Sequence, residues 1–429
     1  MARHDDAASD VSMPNATKRT TECHSLRHGR ARVNPSARGT AVEVFAAALR
    51  LGLTSFGGPI AHIGYFRNEY VDRRRWIDEH GFADLVALCQ FLPGPASSQL
   101  GIAIGTRRAG LAGGLAAWLG FTLPSAIVLV LFAMLATSTD LADAGWVHGL
   151  KLVAVAIVAH AVLAMSRTLT PDWPRRLLAL AAAATVLLWA SPISQVGVIV
   201  AGGLVGWLVL RAPTVEAEDP APSSVGRRLG IAALTIFLGL LVALPLIRLA
   251  ADSQALALFD TSYRAGSLVF GGGHVVLPLL HEGVVAPGWV SDDAFLSGYG
   301  ATQAVPGPLI TFAAYLGAVS SVPPNGWLGA AIALSGIFLP SFLLIWGALP
   351  FWEALGSSST FRRALLGTNA AVVGILLAAL YTPVATSAIS SPLDVGIVAA
   401  AFGLLLSGRA PPVLVVVLTA IAAQLLDAS

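Results

Sequence analysis

Arg50-Leu51-Gly52-Leu53-Thr54-Ser55-Phe56-Gly57-Gly58-Pro59 and Arg264-Ala265-Gly266-Ser267-Leu268-Val269-Phe270-Gly271-Gly272-Gly273 are the two stretches that decide the fold. In each, an arginine stands six residues before Phe-Gly-Gly. The correspondence continues at an offset of 213, pairing Glu69 with Glu282, Trp76 with Trp289, Gln90 with Gln303, and Pro93-Gly94-Pro95 with Pro306-Gly307-Pro308. Gly120-Phe121-Thr122-Leu123-Pro124-Ser125 then reappears as Gly336-Ile337-Phe338-Leu339-Pro340-Ser341, offset by 216. Ordered coincidences at nearly one spacing mark an internal duplication.

The medium follows from composition. Of 429 residues, 55% are hydrophobic and 12% charged, with a mean hydropathy of +0.74; soluble domains carry roughly 25% charged residues. Ala112 to Ala136 holds no charge, and about 20 apolar residues at 1.5 Å each cross ~30 Å of hydrocarbon. Apolar runs predict an all-α, polytopic membrane protein of about thirteen helices, near 41–60, 83–105, 111–137, 147–166, 176–191 and 194–211, then 229–250, 262–281, 293–319, 326–350, 363–382, 392–408 and 411–427. Residues 1–40 read as a basic, disordered cytoplasmic tail. Residues 41–211 form the first repeat and 212–228 a polar linker with Pro213, Pro220 and Pro222. Residues 229–429 form the second repeat with an extra connecting helix.

On this count seven helices precede the second FGG segment and none the first, so the two halves are expected in inverted orientation. Arg107, Arg108, Arg167, Arg175, Arg176, Arg211, Arg227, Arg228, Arg362 and Arg363 then share one side with a cytoplasmic amino terminus. Asp140, Asp143, Asp252 and Asp260 fall opposite. Arg67, Arg73, Arg74 and Arg75 break the rule, so either the first helices dip and return or these arginines line an anion vestibule.

Inverted repeats place ligands near the bilayer midplane, where broken helices point their amino-terminal ends at the substrate. Gly57 and Gly58 before Pro59 end one helical piece and start another, and Phe270 to Gly273 does likewise without proline. Pro93-Gly94-Pro95 and Pro306-Gly307-Pro308 are matching breaks. The free amides after them, with about half a positive charge from the helix dipole, make an anion site to which Ser97, Ser98, Gln99 and Thr311 add hydroxyl or amide groups.

Arg50 and Arg264 at the centre of membrane helices cost about 3 kcal/mol or more unless compensated. A planar guanidinium fork on an oxyanion is one compensation and snorkelling to an interface is the other. Glu69 and Glu282 either carry protons or pair with arginines. His62 and His274 follow the two FGG breaks out of register, as donors to an anion or as titrating groups. Gln90 and Gln303 precede PGP by three residues and satisfy broken backbone or touch the ligand. Trp76 and Trp289 read as interfacial anchors, Lys151 and His160 as packing or snorkelling residues.

Phe56-Gly57-Gly58-Pro59-Ile60-Ala61-His62-Ile63, Arg74-Arg75-Trp76 and Phe91-Leu92-Pro93-Gly94-Pro95 resemble the amino-terminal signature of the chromate ion transporters. Phe270 to Gly273, Pro306 to Pro308 and Gly336 to Ser341 resemble that family's carboxy-terminal signature, from about Ala41 to the end in the long, two-domain form. The resemblance implies an inner-membrane exporter of chromate, with sulfate as a competitor and antiparallel halves. It lends functional weight to Arg50, Phe56 to Pro59, Glu69, Pro93 to Pro95 and their partners.

Other classes are disfavoured. His281-Glu282-Gly283-Val284-Val285 starts a zinc-protease motif but lacks its second histidine, and neither a GxSxG elbow nor a P-loop is present. Cys23, His24 and His28 lack a fourth ligand, so no metal or cofactor is expected. A net charge of +2 does not suit nucleic acid. The expected partners are an inorganic oxyanion and membrane lipid. A passive anion channel, transport of sulfate or another oxyanion, and assembly as a homodimer stay open.

Overall fold

The computed structural model describes residues 39–56, 58–138, 145–189, 191–211, 225–270, 273–352 and 358–427. The tail cysteine and histidines, Gly57, Gly271, Gly272, Asp140, Asp143 and most of the linker lie outside the described residues.

Among the described residues every regular element is helical, with sixteen α-helices of eight residues or more. The first half contains α1 (Ala41–Thr54), α2 (Gly58–Phe66), α3 (Glu79–Phe91), α4 (Ala96–Ser138), α5 (Gly145–Leu169), α6 (Trp173–Leu188) and α7 (Pro192–Val209). After α8 (Arg227–Ala250) come α9 (Gln254–Ser267), α10 (Val276–Val284), α11 (Asp292–Thr302), α12 (Phe312–Val319) and α13 (Gly326–Ala348). The chain closes with α14 (Ser359–Ala379), α15 (Pro392–Ser407) and α16 (Pro412–Asp427).

Sixteen helices replace the expected thirteen because 41–60, 83–105, 262–281 and 293–319 each break in two at FGG or PGP. The second part of 83–105 then runs into 111–137 as α4, across a kink at Ala109 and Gly110. Leu92 is extended (φ −80°, ψ 147°) because Pro93 crowds a helical residue before it. Gly94 and Gly307 take φ of 127° and 109°, where a side chain would clash with its own backbone. Helix α9 starts at Gln254 rather than near 262, because Ser253 caps it by accepting from the Leu256 amide, and Asp260 within it is paired with Arg264 one turn away. Caps fix other starts, as when Thr40 accepts from the Glu43 amide and Asp78 from that of Gly81.

Among the described residues, five stretches are long and apolar enough to cross a bilayer: Ala96–Ala136, Gly145–Leu169, Arg227–Ala250, Gly326–Phe351 and Ser359–Ala388. Large apolar side chains remain uncovered along them, including Leu131 and Leu135 on α4 and Leu238, Val242 and Leu246 on α8, as a lipid-facing surface requires.

Both halves use the same close backbone contacts. A Cβ on Gly52 of α1 would lie 2.7 Å from the carbonyl oxygens of Gly120 and Phe121 on α4, and one on Gly120 would lie 2.6 Å from the Phe45 carbonyl. In the second half Gly266 of α9 meets the Ile337 carbonyl of α13, and Gly336 would meet that of Phe259 at 2.8 Å. Gly105 against Gly113 is likewise repeated as Gly317 against Gly329. Small residues let helix backbones touch where lipid offers no hydrophobic driving force. The halves also pack on each other: α7 lies along α14, where Gly202 and Gly206 face Gly367, and the described residues form one compact unit.

Gly52→Leu and Gly266→Leu are each expected to lower stability by about 1–3 kcal/mol through overpacking. Thermal unfolding in detergent checks this, and unchanged melting in either variant contradicts the repeated helix crossing.

Candidate functional site

The four breaks meet in pairs across the halves. The Gly94 amide donates to the Val269 carbonyl at 2.6 Å, and the Gly307 amide donates to the Ser55 carbonyl at 2.9 Å. Ser55 and Val269 are the residues that precede Phe-Gly-Gly, so each PGP turn is tied to the FGG turn of the other half. The same glycines face the serines of the opposite Leu-Pro-Ser motif: a Cβ on Gly94 would lie 3.2 Å from Ser341 Oγ, and one on Gly307 would lie 2.8 Å from Ser125 Oγ. These two amides are therefore already used, and a ligand is left the later amides of each helix start. The turns brace themselves further, with Gln99 Nε2 donating to the Pro93 carbonyl at 2.7 Å and Thr311 Oγ1 to that of Pro308 at 2.7 Å.

Beside this crossing lies a cavity of about 120 Å³, well above the ~10–15 Å³ that one water needs. Gly58, His160, His274, Thr302, Gln303 and Gly307 supply its polar wall. Three of the four breaks thus reach it, at FGG, just after the second FGG, and at the second PGP; no residue of Pro93 to Pro95 lines it. Gln303 Nε2 is buried without a hydrogen-bond partner, an arrangement that costs about 1–3 kcal/mol unless a ligand or water completes it. His274 Nδ1 lies 2.5 Å from the hydroxyl of Tyr299, a fully buried side chain on α11.

Several expected residues stand elsewhere. Gln90 is exposed on α3, so it does not share the position of its repeat mate Gln303. His62 is buried edge-on to the Phe121 ring, 5.3 Å between centroids. Ser97 and Ser98 are buried in the first turn of α4, where Ser98 Oγ has no partner. Phe56, Phe270 and Pro306 are half-buried in their turns, and Gly273, Pro95, Pro308 and Thr311 are buried. Trp289 is a buried residue under Arg248, 5.7 Å from ring to guanidinium.

The arginines have partners of their own. Buried Glu69 sits 2.6 Å from Arg74 Nε, 2.9 Å from Arg73 Nη1 and 3.8 Å from Arg50 Nη1. Trp76 stacks on Tyr70 and lies within 5.1 Å of both the Arg74 and Arg108 guanidiniums. Of the arginines that broke the charge rule, Arg73 and Arg74 are gathered by Glu69 and Arg67 pairs with Asp72 and Glu79, on a π-helical turn over Arg67–Arg73 and the residues beside it. The hydrogen bond from Arg67 holds the Glu79 carboxyl below its usual range. In the second half Arg264 Nη2 lies 2.6 Å from buried Asp260, which Arg248 approaches at 3.4 Å. The pairing differs between halves: Asp260, rather than Glu282, faces Arg264. Neither Arg50 nor Arg264 lines the cavity.

Sequence reasoning missed His160, Tyr299 and Thr302. His160 has no repeat mate, and nothing in its run of α5 distinguishes it from a packing residue. Lys151, read as packing or snorkelling, pairs with Asp293 at 2.9 Å.

A family model described as chromate transporter matches residues 42–207 and again 256–424. The chain belongs to the chromate transporter family. With its apolar helices this makes it a multi-pass membrane protein. It is 30% identical over 349 residues to the chromate transport protein of Pseudomonas aeruginosa, covering 78% of this chain and 79% of that protein. A chromate transport protein of Cupriavidus metallidurans is 26% identical over 80% of this chain and 82% of its own length. An uncharacterised transporter of Methanocaldococcus jannaschii is 27% identical over 81% and 84% respectively. No solved structure matches the chain. Helix α8 lies between the two stretches matched by the family.

Glu69→Ala is expected to destabilise the fold by about 2 kcal/mol, since it removes the acceptor of charged hydrogen bonds from Arg73 and Arg74. Glu69→Gln, which keeps an acceptor, should cost less. Equal melting temperatures for all three proteins would contradict the role given to this carboxylate.

Proposed function

We propose that the chain is a secondary transporter that exports chromate across the inner membrane by alternating access between two inverted repeats. Family membership supports the substrate class, and the names of the Pseudomonas aeruginosa and Cupriavidus metallidurans relatives agree with it. The observation that carries the site is the cavity at the crossing of the breaks, with an unsatisfied Gln303 amide in its wall. A tetrahedral oxyanion offers oxygen acceptors on every side and accepts from the Gln303 amide and the free amides of the broken helices, whereas the Thr302 hydroxyl is already donated to the Gly298 carbonyl at 2.7 Å.

The remaining candidates take supporting parts in this reading. Phe56, Gly58, Gly94, Gly307 and their neighbours shape the turns that let the backbone approach the anion. Arg50, paired with Glu69, and Arg264, paired with Asp260, bias the local field towards anions without touching the cargo. In this reading the backbone hydrogen bonds to Val269 and Ser55, which link each half's turn to the other, are the contact about which the halves move. Movement of one repeat against its mate exchanges which end of the cavity is open.

Uptake of labelled chromate into everted membrane vesicles, with sulfate and molybdate as competitors, tests this. Vesicles with the protein should accumulate chromate above empty vesicles and respond to an imposed pH gradient; equality for every oxyanion contradicts the proposal. Gln303→Leu should weaken chromate about 10- to 100-fold, the equivalent of one hydrogen bond of ~1.5–3 kcal/mol to a charged group. Unchanged uptake would remove the cavity from the pathway.

A further inference from the structure

We infer that the oxyanion binds in this cavity together with a proton, taken up by the pair His160 and His274. The inference rests on the reading that the cavity holds the oxyanion and adds the charge that balances it. Among the described residues lining the cavity there is no lysine, arginine, aspartate or glutamate; the two imidazoles are its only ionisable groups. A dianion held there by neutral dipoles alone would remain uncompensated in a medium of low dielectric. Histidine is the side chain whose ordinary pKa places its charge change between pH ~5 and ~8. An arriving dianion therefore favours the imidazolium form, and the proton comes from solvent.

The surroundings of His274 suit both protonation states. The Tyr299 hydroxyl at 2.5 Å donates to Nδ1 when the ring is neutral and accepts from Nδ1–H when it is charged, so the ring nitrogen keeps a partner in both states. Nε2 therefore carries a proton in both states and is a donor for an anion oxygen, and the added proton on Nδ1 gives the ring its positive charge.

Other ionisable groups near the pair are neutralised by partners or stand away from the cavity wall. On α5, and on α11 and α15 packed against it, His148 pairs with Asp394 at 2.8 Å and Lys151 with Asp293 at 2.9 Å. On α10, which follows the His274 turn, His281 pairs with Asp292 of α11 at 2.7 Å. On α14, packed against both histidines' elements, Arg363 Nε donates to the Leu210 carbonyl at 2.7 Å. Arg167 on α5, Glu282 on α10, Arg362 on α14 and Tyr381 after α14 do not line the cavity.

The sign is fixed by linkage. A bound dianion raises the imidazole pKa, so affinity is greatest below the pKa of the free protein and falls as pH rises through that of the complex. One linked proton changes affinity by at most tenfold per pH unit. Sulfate is the probe, because it stays a dianion across this range whereas chromate itself takes up a proton.

Calorimetric titration of the purified full-length protein with sulfate, in buffers of different ionisation enthalpy, tests the inference. Uptake of about one proton per sulfate near neutral pH, with affinity rising on acidification, is expected. His160→Gln and His274→Gln should each reduce the uptake and flatten the pH dependence, with melting temperatures reporting their folding. Tyr299→Phe keeps both imidazoles and should shift the midpoint of the pH profile while sulfate still binds at low pH. Sulfate binding without proton uptake, or variants with the wild-type pH profile, overturns the histidine inference and leaves the oxyanion site standing. No sulfate binding at any pH overturns the site as well.

Discussion

Two backbone hydrogen bonds organise this molecule: Gly94 to Val269 and Gly307 to Ser55. Each joins a Pro-Gly-Pro turn of one half to the residue before Phe-Gly-Gly in the other, so neither half can hold its own breaks in place. The constraint is steep within lipid, where a backbone group without a partner costs several kcal/mol and no water can replace it. Glycine is required because the turn needs positive φ and because a Cβ would crowd the Gln99 amide at Gly94 and the Ser125 hydroxyl at Gly307, the latter 2.8 Å away. Broken helices, usually a liability in a bilayer, thus become the contact through which the halves recognise each other.

Charge is managed on the same principle of local compensation. Glu69 gathers Arg50, Arg73 and Arg74, and Asp260 gathers Arg264 and Arg248, which lowers the cost of keeping guanidiniums at the edges of an apolar bundle. The cavity beside the crossing is left with dipoles and two imidazoles instead. That division separates the groups that shape the field from those positioned to touch a ligand.

Much of this was legible in the sequence because duplication filters signal from noise. A single PGP is an ordinary kink, whereas two at matching positions pointed to the breaks that the structure shows at residues 92–95 and 303–308. Helix starts agreed closely at Pro192 and Pro412, where an apolar run met a proline. The sequence was least informative where function had no repeat mate. His160 lies in an apolar helix without a counterpart, and only the fold brings it opposite His274. Gln90 and Gln303 show the reverse failure, since matched positions diverge once one half continues directly into α4 and the other passes through a 3₁₀ turn at Leu309–Thr311. Arg50 and Arg264 were singled out for their cost in lipid, but the acids that answer that cost are set by tertiary contact and differ between halves.

The central claim is that a tetrahedral dianion sits where the breaks of the two halves cross. Anomalous diffraction from crystals grown with selenate, a heavier tetrahedral dianion, tests it most directly. The account predicts a selenium peak inside the cavity bounded by Gly58, His274, Gln303 and Gly307. Peaks confined to the Arg67 to Arg75 cluster, with that cavity empty at saturating selenate, would contradict it.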